Sequence, residues 1–496
     1  MAGVIGMAAL AVNAQEATTR PGLLLVPELG IRQTLTDNAR LTSTDRHSEL
    51  ITELSPELRL SSNAGRIKGF LDYSLHGLVY ARESSPNNVQ QSLNAAGTVE
   101  AIDNWAYIDA SASISQQNTS ALGTRSTDSA LLDANNRTEV TSVQLVPHIR
   151  GRLGGFADYD ARLTWAATNS NATTADSTTT GASLRIGSNT SFRRFGWSAD
   201  LSHQVSDFSA SGSHETDRFT GELTFVATPE LRLAARAGRE VNDLLTLNKA
   251  GYNTWGWGAT WTPSERTRLE ATRDKRFFGS SHSVRFEHRM PRSILTFSDT
   301  HDVSTDSATG GSAPPRTAFD LLFAQLASAI PDPIQRAAAV DSILQNNGLT
   351  RTTLANAGFL TSAASVQRRQ DLSFAMLGLR STVVAIAFRS DARRLDPALI
   401  VTDDLANGNL LRQYGFSVNV SHRLTPLSAL SLVLTQTKTS ASLGDQSTDL
   451  RSLTATWSSR LSERVDLSLS ARRALFDSAT NPYTENALIA NLRLRF

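Results

Sequence analysis

The chain has 496 residues and no cysteine, which permits several globular domains or one very large barrel and excludes a disulfide framework or a thiolate metal site. Lys and Arg number 48 against 47 Asp and Glu, a balance that argues against a nucleic-acid binder. Apolar residues make up only 40%, and no run reaches the ~18 residues that a membrane-spanning helix needs. A transmembrane β-barrel needs only half of each strand to be apolar.

The N-terminus has the pattern of an export signal. Residues 4–12 (VIGMAALAV) form a short apolar core, and Val12-Asn13-Ala14 is a small-residue cleavage pattern. A buried helix is the alternative, but polar sequence follows the apolar core at once. We therefore predict a signal peptide over residues 1–14 and a short N-terminal segment over residues 15–26.

From Pro27 to the end, the chain consists of segments of roughly 9–14 residues with a two-residue period, which is typical of strands. Short turns are predicted near residues 63–65, 103–104, 151–155, 194–196, 228–230, 263–265, 291–292, 381–382, 425–428 and 461–464. Longer polar loops, such as 170–180, 209–214 and 395–409, alternate with them. Outer-membrane barrels have short periplasmic turns and longer extracellular loops. Residues 27–496 are therefore predicted to form an all-β, transmembrane, antiparallel up-and-down barrel of about 22 strands, within a range of about 18–24.

One face of the predicted strands is aromatic or aliphatic. Within residues 252–261, tryptophans alternate with Gly256 and Gly258, and a row of indoles suits a strand that meets lipid and its interface. The segment 414–424 repeats this alternation. The residues predicted to face lipid are Trp255, Trp257, Trp261, Tyr414 and Phe416.

The opposite face is often charged. A charge that faces lipid near the midplane costs ~2–4 kcal/mol, so this face must look into the lumen. The residues predicted to face the lumen are Arg266, Arg268, Glu270, Asp274, Arg276, Arg493 and Arg495. Two interpretations remain open: a scaffold of mutually neutralising charges, or a lumen suited to polyanionic or sugar cargo.

The region 302–365 breaks the strand pattern. It opens with Ser, Gly and Pro and then shows apolar residues at helical spacing over residues 317–330 and again after Pro331-Asp332-Pro333, up to a stop at Gly348. We predict a long loop that carries two amphipathic helices, whose apolar stripes need a cover. A cap or constriction at the barrel mouth is favoured, and an independently packed ornament is the alternative.

Catalytic motifs are missing from the sequence: there is no His-Glu-x-x-His, no glycine-rich phosphate loop and no Gly-x-Ser-x-Gly. Ser213 and His214 are neighbours on a strand and point to opposite faces, so they would not cooperate. No enzyme activity and no cofactor are therefore expected.

Two loops carry candidate polar sites. Asp403 and Asp404, with neighbouring Asp396, Asn407 and Asn409, could bind Ca²⁺, but the spacing fits no EF-hand and a solvated acidic loop is favoured. Asp37 and Asn38 end the first strand, where their side chains can bond their own backbone and make a tight turn.

Several short segments carry a family resemblance. They are Thr34-Leu35-Thr36-Asp37-Asn38, residues 50–60 (LITELSPELRL), residues 71–75 (LDYSL), Tyr80-Ala81, residues 330–336 (IPDPIQR) and residues 378–382 (GLRST). In this order they resemble the PEP-CTERM system-associated outer-membrane protein family over almost the whole chain. The sequence departs from the family pattern at Leu35, where an aromatic residue is expected, and at Ser381, where Asn is expected.

The resemblance implies a Gram-negative outer-membrane barrel linked to exopolysaccharide and exosortase systems, with no catalytic residues to carry over. The expected function is a conduit or accessory component for exopolysaccharide export. A non-conducting barrel that anchors matrix or surface proteins is the alternative, and an outer-membrane hydrolase ranks last. The expected partners are outer-membrane lipids, the barrel assembly machinery, exopolysaccharide and export components.

The last strand completes the pattern. Backwards from Phe496 every second residue is apolar, and Arg493 and Arg495 lie between them. A strand with a terminal aromatic residue resembles the signal that the barrel assembly machinery reads in outer-membrane barrels. Phe496 is therefore the predicted assembly signal.

Replacement of Phe496 by Ala, or its deletion, should impair assembly into the outer membrane, because the terminal aromatic residue is lost. Arg493→Ala should spare assembly, because this residue lies on the other face. Both outcomes can be read from the amount of heat-modifiable barrel in outer-membrane fractions. Unchanged insertion after deletion of Phe496 would contradict the assignment.

Overall fold

The computed structural model describes residues 22–128, 136–171, 176–188, 194–246, 248–305, 363–395, 403–405, 410–444 and 446–496, with 308–309, 322–323, 326, 336, 340 and 359–361. The predicted signal peptide, residues 1–14, lies outside this set.

The described residues form 24 strands. The first twelve are β1 (Leu23–Thr36), β2 (Glu49–Ala64), β3 (Ile67–Tyr80), β4 (Asn88–Ile102), β5 (Ala106–Asn118), β6 (Arg137–Leu153), β7 (Ala157–Ser170), β8 (Ser177–Ser188), β9 (Phe195–Phe208), β10 (Gly212–Thr228), β11 (Leu231–Asn242) and β12 (Ala250–Ser264). The others are β13 (Thr267–Arg276), β14 (Gly279–Arg289), β15 (Ser293–Ser304), β16 (Ala308–Thr309), β17 (Phe359–Leu360), β18 (Ser365–Leu377), β19 (Ser381–Arg394), β20 (Leu410–Arg423), β21 (Ser428–Ala441), β22 (Ser447–Ser462), β23 (Val465–Ser478) and β24 (Tyr483–Arg495).

All strands except the two-residue β16 and β17 form one closed sheet. Each long strand pairs antiparallel with its neighbours in the chain, and β15 pairs with β18 across the long insertion. The first and last strands close the circle, from Glu28 opposite Arg495 to Thr36 opposite Ala487. The predicted fold, an antiparallel up-and-down barrel of 22 strands, is confirmed.

The two ends of the barrel differ in their connections. One end, the turn end, carries hairpins such as Gly65-Arg66, Glu265-Arg266 and Glu463-Arg464. The other end, the loop end, carries the connections 119–136, 305–364 and 395–409. In outer-membrane barrels the turn end is periplasmic and the loop end extracellular.

The strands begin and end close to the predicted boundaries, with two differences. β1 begins at Leu23, before the predicted barrel start at residue 27, because residues 23–26 already pair with residues 59–62 of β2. The loop end also includes two tight hairpins: only Phe277 and Phe278 join β13 to β14, and only residues 209–211 join β9 to β10, where a longer loop over residues 209–214 is predicted. The predicted alternation of short turns and long loops therefore fails at these two hairpins.

The two faces of the wall differ in chemistry. On the outer face a continuous row of directly opposed residues is apolar across six strands: Leu269, Phe286, Phe297, Leu372, Ala387 and Phe416. The inner face carries most of the polar and charged strand residues, including buried Glu28, Glu53 and Arg472. Apolar residues outside and polar residues inside are the arrangement of a membrane barrel. Among the described residues, no helix is long and apolar enough to cross a membrane.

A glycine on the inner face allows an ion pair to bridge two strands that are not neighbours. Gly256 of β12 lies directly between Arg236 of β11 and Asp274 of β13. Arg236 Nη1 donates to Asp274 Oδ2 across it at 3.3 Å. A Cβ at position 256 would lie 2.5 Å from the Arg273 carbonyl oxygen, which cannot retreat without disturbing the strand. The row of glycines opposite the tryptophans therefore makes room for charges that bond over them.

Gly256→Ala should lower the free energy of unfolding by about 1–3 kcal/mol, because the added methyl group overlaps the backbone of β13. Gly258→Ala is the matched control, since the nearest atom to its Cβ is the flexible end of Arg236, at 3.2 Å. Urea unfolding of the barrel in detergent, followed by the heat-modifiable band, measures both. Equal effects at the two positions would contradict this account.

Candidate functional site

The aromatic residues predicted to face lipid all lie on the outer face. Trp255, Trp257 and Trp261 are 59%, 49% and 46% exposed, and Tyr414 and Phe416 of β20 are also exposed. Exposed indoles on a closed sheet have no second protein layer to cover them among the described residues. We therefore treat this face as the surface that meets the bilayer.

The charges predicted to face the lumen lie on the opposite face, with one difference. Arg268 Nε donates to Glu270 Oε1 at 2.9 Å along β13. Arg266 does not belong to that strand, because the chain reverses at Glu265-Arg266 and the residue stands in the turn. Its side chain is exposed at the turn end of the barrel.

The remaining predicted charges of β13 are paired with the neighbouring strands. Asp274 accepts from Arg236, which also donates to Glu222 Oε2 at 2.6 Å. The Arg276 guanidinium donates to both oxygens of Glu240, at 2.6 and 3.0 Å. In this sector the contacts favour the interpretation of the inner face as a scaffold of mutually neutralising charges.

The C-terminal arginines are paired as well. Arg493 Nε lies 3.6 Å from Glu28 Oε2, and Arg495 lies against both Glu28 and Asp466. Phe496 follows the last strand with its ring 62% exposed, and its backbone N–H donates to the Pro27 carbonyl at 3.1 Å. The terminal aromatic residue is thus held at the seam where β24 meets β1.

The connection 119–136 enters the barrel and bonds to distant parts of the wall. Its Asp128 side chain has 0% exposure and accepts from Arg32 Nη2 of β1 at 2.6 Å and from Arg472 Nη1 of β23 at 2.5 Å. Arg472, 5% exposed, also donates to both oxygens of Glu485 on β24, at 2.9 and 3.1 Å. We call Arg32, Asp128, Arg472 and Glu485 the loop latch.

A second buried arginine supports the loop latch. Arg125 Nη2 donates to Thr448 Oγ1 of β22 at 2.8 Å, and the Arg125 carbonyl accepts from the Tyr483 hydroxyl at 2.5 Å. Burial lowers the pKa of Arg125 to about 10. The guanidinium therefore remains charged at neutral pH, and the side chain is fixed between the loop and the wall.

The connection 119–136 also meets the connection 395–409. The Asp404 carboxylate accepts from Ser120 Oγ at 2.7 Å and from the Ala121 backbone N–H at 2.6 Å. Burial raises the pKa of the Asp404 carboxyl, and the two hydrogen bonds oppose this change. The favoured prediction of a solvated acidic loop is wrong for Asp404, because the described carboxylate joins two loops. Asp396, Asn407 and Asn409 lie outside the described residues.

Apolar contacts accompany this junction. Ala121, Phe359, Leu405 and the inner-face residues Ala392 of β19 and Leu411 of β20 form one buried cluster. β5, which leads into the 119–136 connection, and β19 stand on opposite sides of a 22-strand ring, which is roughly 40 Å across because strands lie about 4.8 Å apart. Three connections of the loop end therefore meet inside the barrel and join opposite walls.

The long insertion reaches further into the barrel than the sequence suggested. Leu322 and Val340 are fully buried in a cluster with Ile294 of β15, Ala375 of β18 and Val384 of β19. These three wall residues lie within a few positions of the turn end, whereas the insertion starts at the loop end. The predicted cap at the mouth must therefore be corrected, because the described insertion residues Leu322 and Val340 lie deep in the lumen, near the turn end.

Most of the two predicted helices, 317–330 and 334–344, lie outside the described residues. Within them, Leu322, Phe323, Arg336 and Val340 have helical backbone. The Arg336 guanidinium stacks 4.5 Å above the Phe323 ring. The described insertion residues are thus packed against the inner wall and, for Arg336 and Phe323, against each other.

Two further groups of polar residues have the side chains that catalysis or metal binding would need. Ser213 and His214 lie on opposite faces of β10, as expected for strand neighbours. His203, Glu215 and Asp217 converge on the outer face, with His203 Nδ1 2.7 Å from Asp217 Oδ1. The Lys249 ammonium lies against Glu215, whose carboxylate raises the pKa of that lysine. A bound metal would have to displace this ammonium group.

The loop latch could not be found from local sequence patterns, because its members lie far apart in the chain. Asp128 and Arg472 are separated by 344 positions, and Ser120 and Asp404 by 284. The sequence offers only an indirect indication of the loop latch. The polar connection 119–136 has 18 residues, and connections this long are often functional.

Comparisons with known proteins found likeness only at the level of structure. No family model matches the sequence, and no curated protein matches it. The FrpB iron transporter from Neisseria meningitidis (F5-1 variant) is similar with a TM-score of 0.48 at 9% identity, covering 96% of this chain and 83% of that one. The ferric enterobactin receptor PfeA from Pseudomonas aeruginosa gives 0.48 at 10%, with 95% and 81% covered. The siderophore receptor PirA from the same organism gives 0.41 at 10%, with 95% and 80% covered.

The assignment to a membrane rests on the chain's own architecture. A closed antiparallel sheet leaves no unpaired edge, and its outer face is apolar, which are the two requirements for a β-structure in lipid. The protein is a 22-stranded β-barrel of the bacterial outer membrane.

Asp128→Ala should release the 119–136 connection, because it leaves the buried Arg472 and the half-buried Arg32 without their shared carboxylate. Removal of one partner of a buried pair costs about 3 kcal/mol or more, so amide hydrogen exchange in this connection should accelerate about a hundredfold.

Asp45→Asn is the control for the loop latch. It removes the exposed Arg40–Asp45 pair in another connection and should leave exchange in 119–136 unchanged. Slow exchange in the Asp128→Ala protein would mean that the ion pairs do not hold the loop.

Proposed function

We propose that this protein is a gated conduit for a large polar cargo across the outer membrane, with extracellular polysaccharide as the cargo. The observation that carries the proposal is that described residues of the protein's own connections are packed inside the barrel. Three connections of the loop end meet inside the barrel, and the loop latch ties one of them to the wall. A conduit needs a wide barrel and internal connections that can withdraw from its lumen.

The size of the wall supports a bulky cargo. A barrel of 22 strands encloses far more space than its own inward side chains can fill. In this protein described residues of three connections lie in that space, and connections can move without opening the hydrogen bonds of the wall. When the connections withdraw, the cross-section of the lumen suits a polymer better than a small ion.

The chemistry of the loop latch suits a closure that opens. Buried charges lose their hydration, which offsets most of their mutual attraction. When the connection leaves the wall, Asp128, Arg32 and Arg472 regain water. The net free energy of opening is therefore smaller than the number of hydrogen bonds implies.

The inner wall offers the groups that hydrate or bind sugars. Hydroxyl pairs such as Thr435 with Ser452 and Thr456 with Ser470 stand on neighbouring strands, 2.7 and 2.9 Å apart. Hydroxyl and amide groups bind sugar hydroxyls without fixing them by charge. The resemblance to PEP-CTERM-associated outer-membrane proteins, with their link to exopolysaccharide systems, supports the same cargo.

A non-conducting anchoring barrel is the second candidate, and one observation favours it. Leu322 and Val340 are fully buried against the wall near the turn end. Exposing such side chains to water costs roughly 1.5–3 kcal/mol each, which favours a permanent filling. In that case the barrel would hold extracellular material through its loops.

Planar-bilayer recordings distinguish the two candidates. The wild-type protein should conduct rarely, and removal of residues 314–347 should produce stable, large conductance steps, because the apolar filling is lost. Asp128→Ala should raise the opening frequency, whereas Asp45→Asn should not. Absence of conductance after the deletion would reject the conduit and favour the anchoring barrel.

The cargo is tested in cells. A strain that lacks the protein should retain polysaccharide in the periplasm, and the wild-type gene should restore surface polysaccharide. Normal export by the deletion strain would reject polysaccharide as the cargo, even if the bilayer recordings support a conduit.

A further inference from the structure

The outer face carries a continuous polar row near the loop end. Six directly opposed residues on β13, β14, β15, β18, β19 and β20 form it: Arg273, His282, His301, Arg368, Asp391 and Arg412. The adjacent outer-face positions on the same strands add Lys275, Asp299, Gln370, Arg389 and Arg393. We call these eleven residues the rim belt.

The rim belt borders the apolar surface of the barrel. Each residue of its central row lies four positions beyond the apolar row that runs from Leu269 to Phe416. Four residues of strand span about 13 Å, so polar and apolar surfaces lie within the length of one lipid molecule. A ligand with a polar head and acyl chains can contact both at once.

The rim belt is strongly basic. Six cationic side chains stand against two carboxylates, a formal excess of four positive charges with the histidines neutral. Arg273, Lys275 and Arg393 have no carboxylate partner among the described residues, and all three are exposed. On the outer face these cations are available to an external anion.

The paired members of the rim belt are fixed in position. Arg368 donates to both oxygens of Asp299, at 2.8 and 3.2 Å, and Gln370 donates to the same carboxylate at 2.9 Å. The His282 and His301 rings lie 5.5 Å apart between these strands. Side chains that are held in place lose less freedom when they bind a ligand.

The basic character is local to this part of the rim. On β9 and β10 the outer face near the loop end carries Asp207, Glu215 and Asp217. The Lys249 ammonium lies against Glu215 there, so that sector has a cation for its carboxylates. In the rim belt the imbalance remains, because Arg273, Lys275 and Arg393 have no carboxylate partner among the described residues.

We propose that the rim belt is a binding site for the phosphate-bearing headgroup of an outer-leaflet lipid. Arg and Lys bind phosphate oxygens by charge-assisted hydrogen bonds, and each basic residue near a membrane surface strengthens the attraction to anionic lipid. The acyl chains of the same lipid lie along the apolar row below. The lipid thus bridges the two chemistries of this sector and anchors one side of the barrel in the outer leaflet.

Titration with lipid A that carries both phosphates tests the site. The full-length protein in zwitterionic detergent should bind this lipid more tightly than lipid A without phosphates. The variant Arg273→Gln/Lys275→Gln/Arg393→Gln should bind it roughly tenfold more weakly or worse, and added salt should weaken binding to the wild-type protein. Within the described part of the chain these three cations have no carboxylate partner to leave unpaired, so the wall should fold as in the wild-type protein.

The matched control changes the same number of charges at the turn end: Arg292→Gln/Arg380→Gln/Arg464→Gln, all exposed turn residues. It should bind lipid A as the wild-type protein does, and Arg273→Lys/Arg393→Lys should retain most of the affinity. Equal loss in both triple variants would show a non-specific charge effect and overturn the proposal. Competition by inorganic phosphate at concentrations similar to those of the lipid would also overturn it, since the site would then recognise a free anion.

Discussion

The structure depends on the closure of the sheet between its first and last strands. In lipid, an unpaired backbone N–H or C=O costs several kcal/mol, so a sheet must have no open edge. β1 and β24 meet over nine residue pairs. Beyond the ladder, the Asp37 carboxylate accepts from the backbone N–H and the side-chain amide of Asn486, both at 2.7 Å. The seam is therefore held by side chains at the loop end as well as by the backbone.

Closure also decides where the charges go. A strand has only two faces, and lipid excludes charge from one of them over most of the height of the wall. The charged residues must then share the inner face, where each carboxylate needs a cation within reach. Arg236 satisfies two carboxylates, Glu222 and Asp274, by reaching over Gly256. A glycine in a strand, usually a weak point, here permits this arrangement.

The same two-residue period explains how much the sequence could predict. It predicted the turns, the outer-face tryptophans and the closing strand. The alternation within one strand shows which of its residues share a face, whichever strands lie beside it. The two-residue period could not predict the loop latch. Asp128 meets Arg32 and Arg472 only when β1, β23 and the 119–136 connection are assembled. The depth of the insertion was missed for the same reason. Helical spacing at Leu322 and Val340 shows that an apolar face needs a cover, and only the fold shows that β15, β18 and β19 supply it.

The connections are held to the inner wall by two kinds of contact at two heights, among the residues that the structure describes, and these contacts respond differently to water. At the loop end, ion pairs hold the 119–136 connection, and both partners gain hydration when it leaves. Near the turn end, Leu322 and Val340 lose their cover when the insertion leaves, and water opposes that step. A ligand that binds at the loops therefore acts first on the ion pairs that hold the 119–136 connection. Release of Leu322 and Val340 from the wall needs a partner or cargo that covers these apolar side chains in place of the wall. In the proposed conduit, binding of the cargo and opening of the lumen are therefore coupled rather than independent.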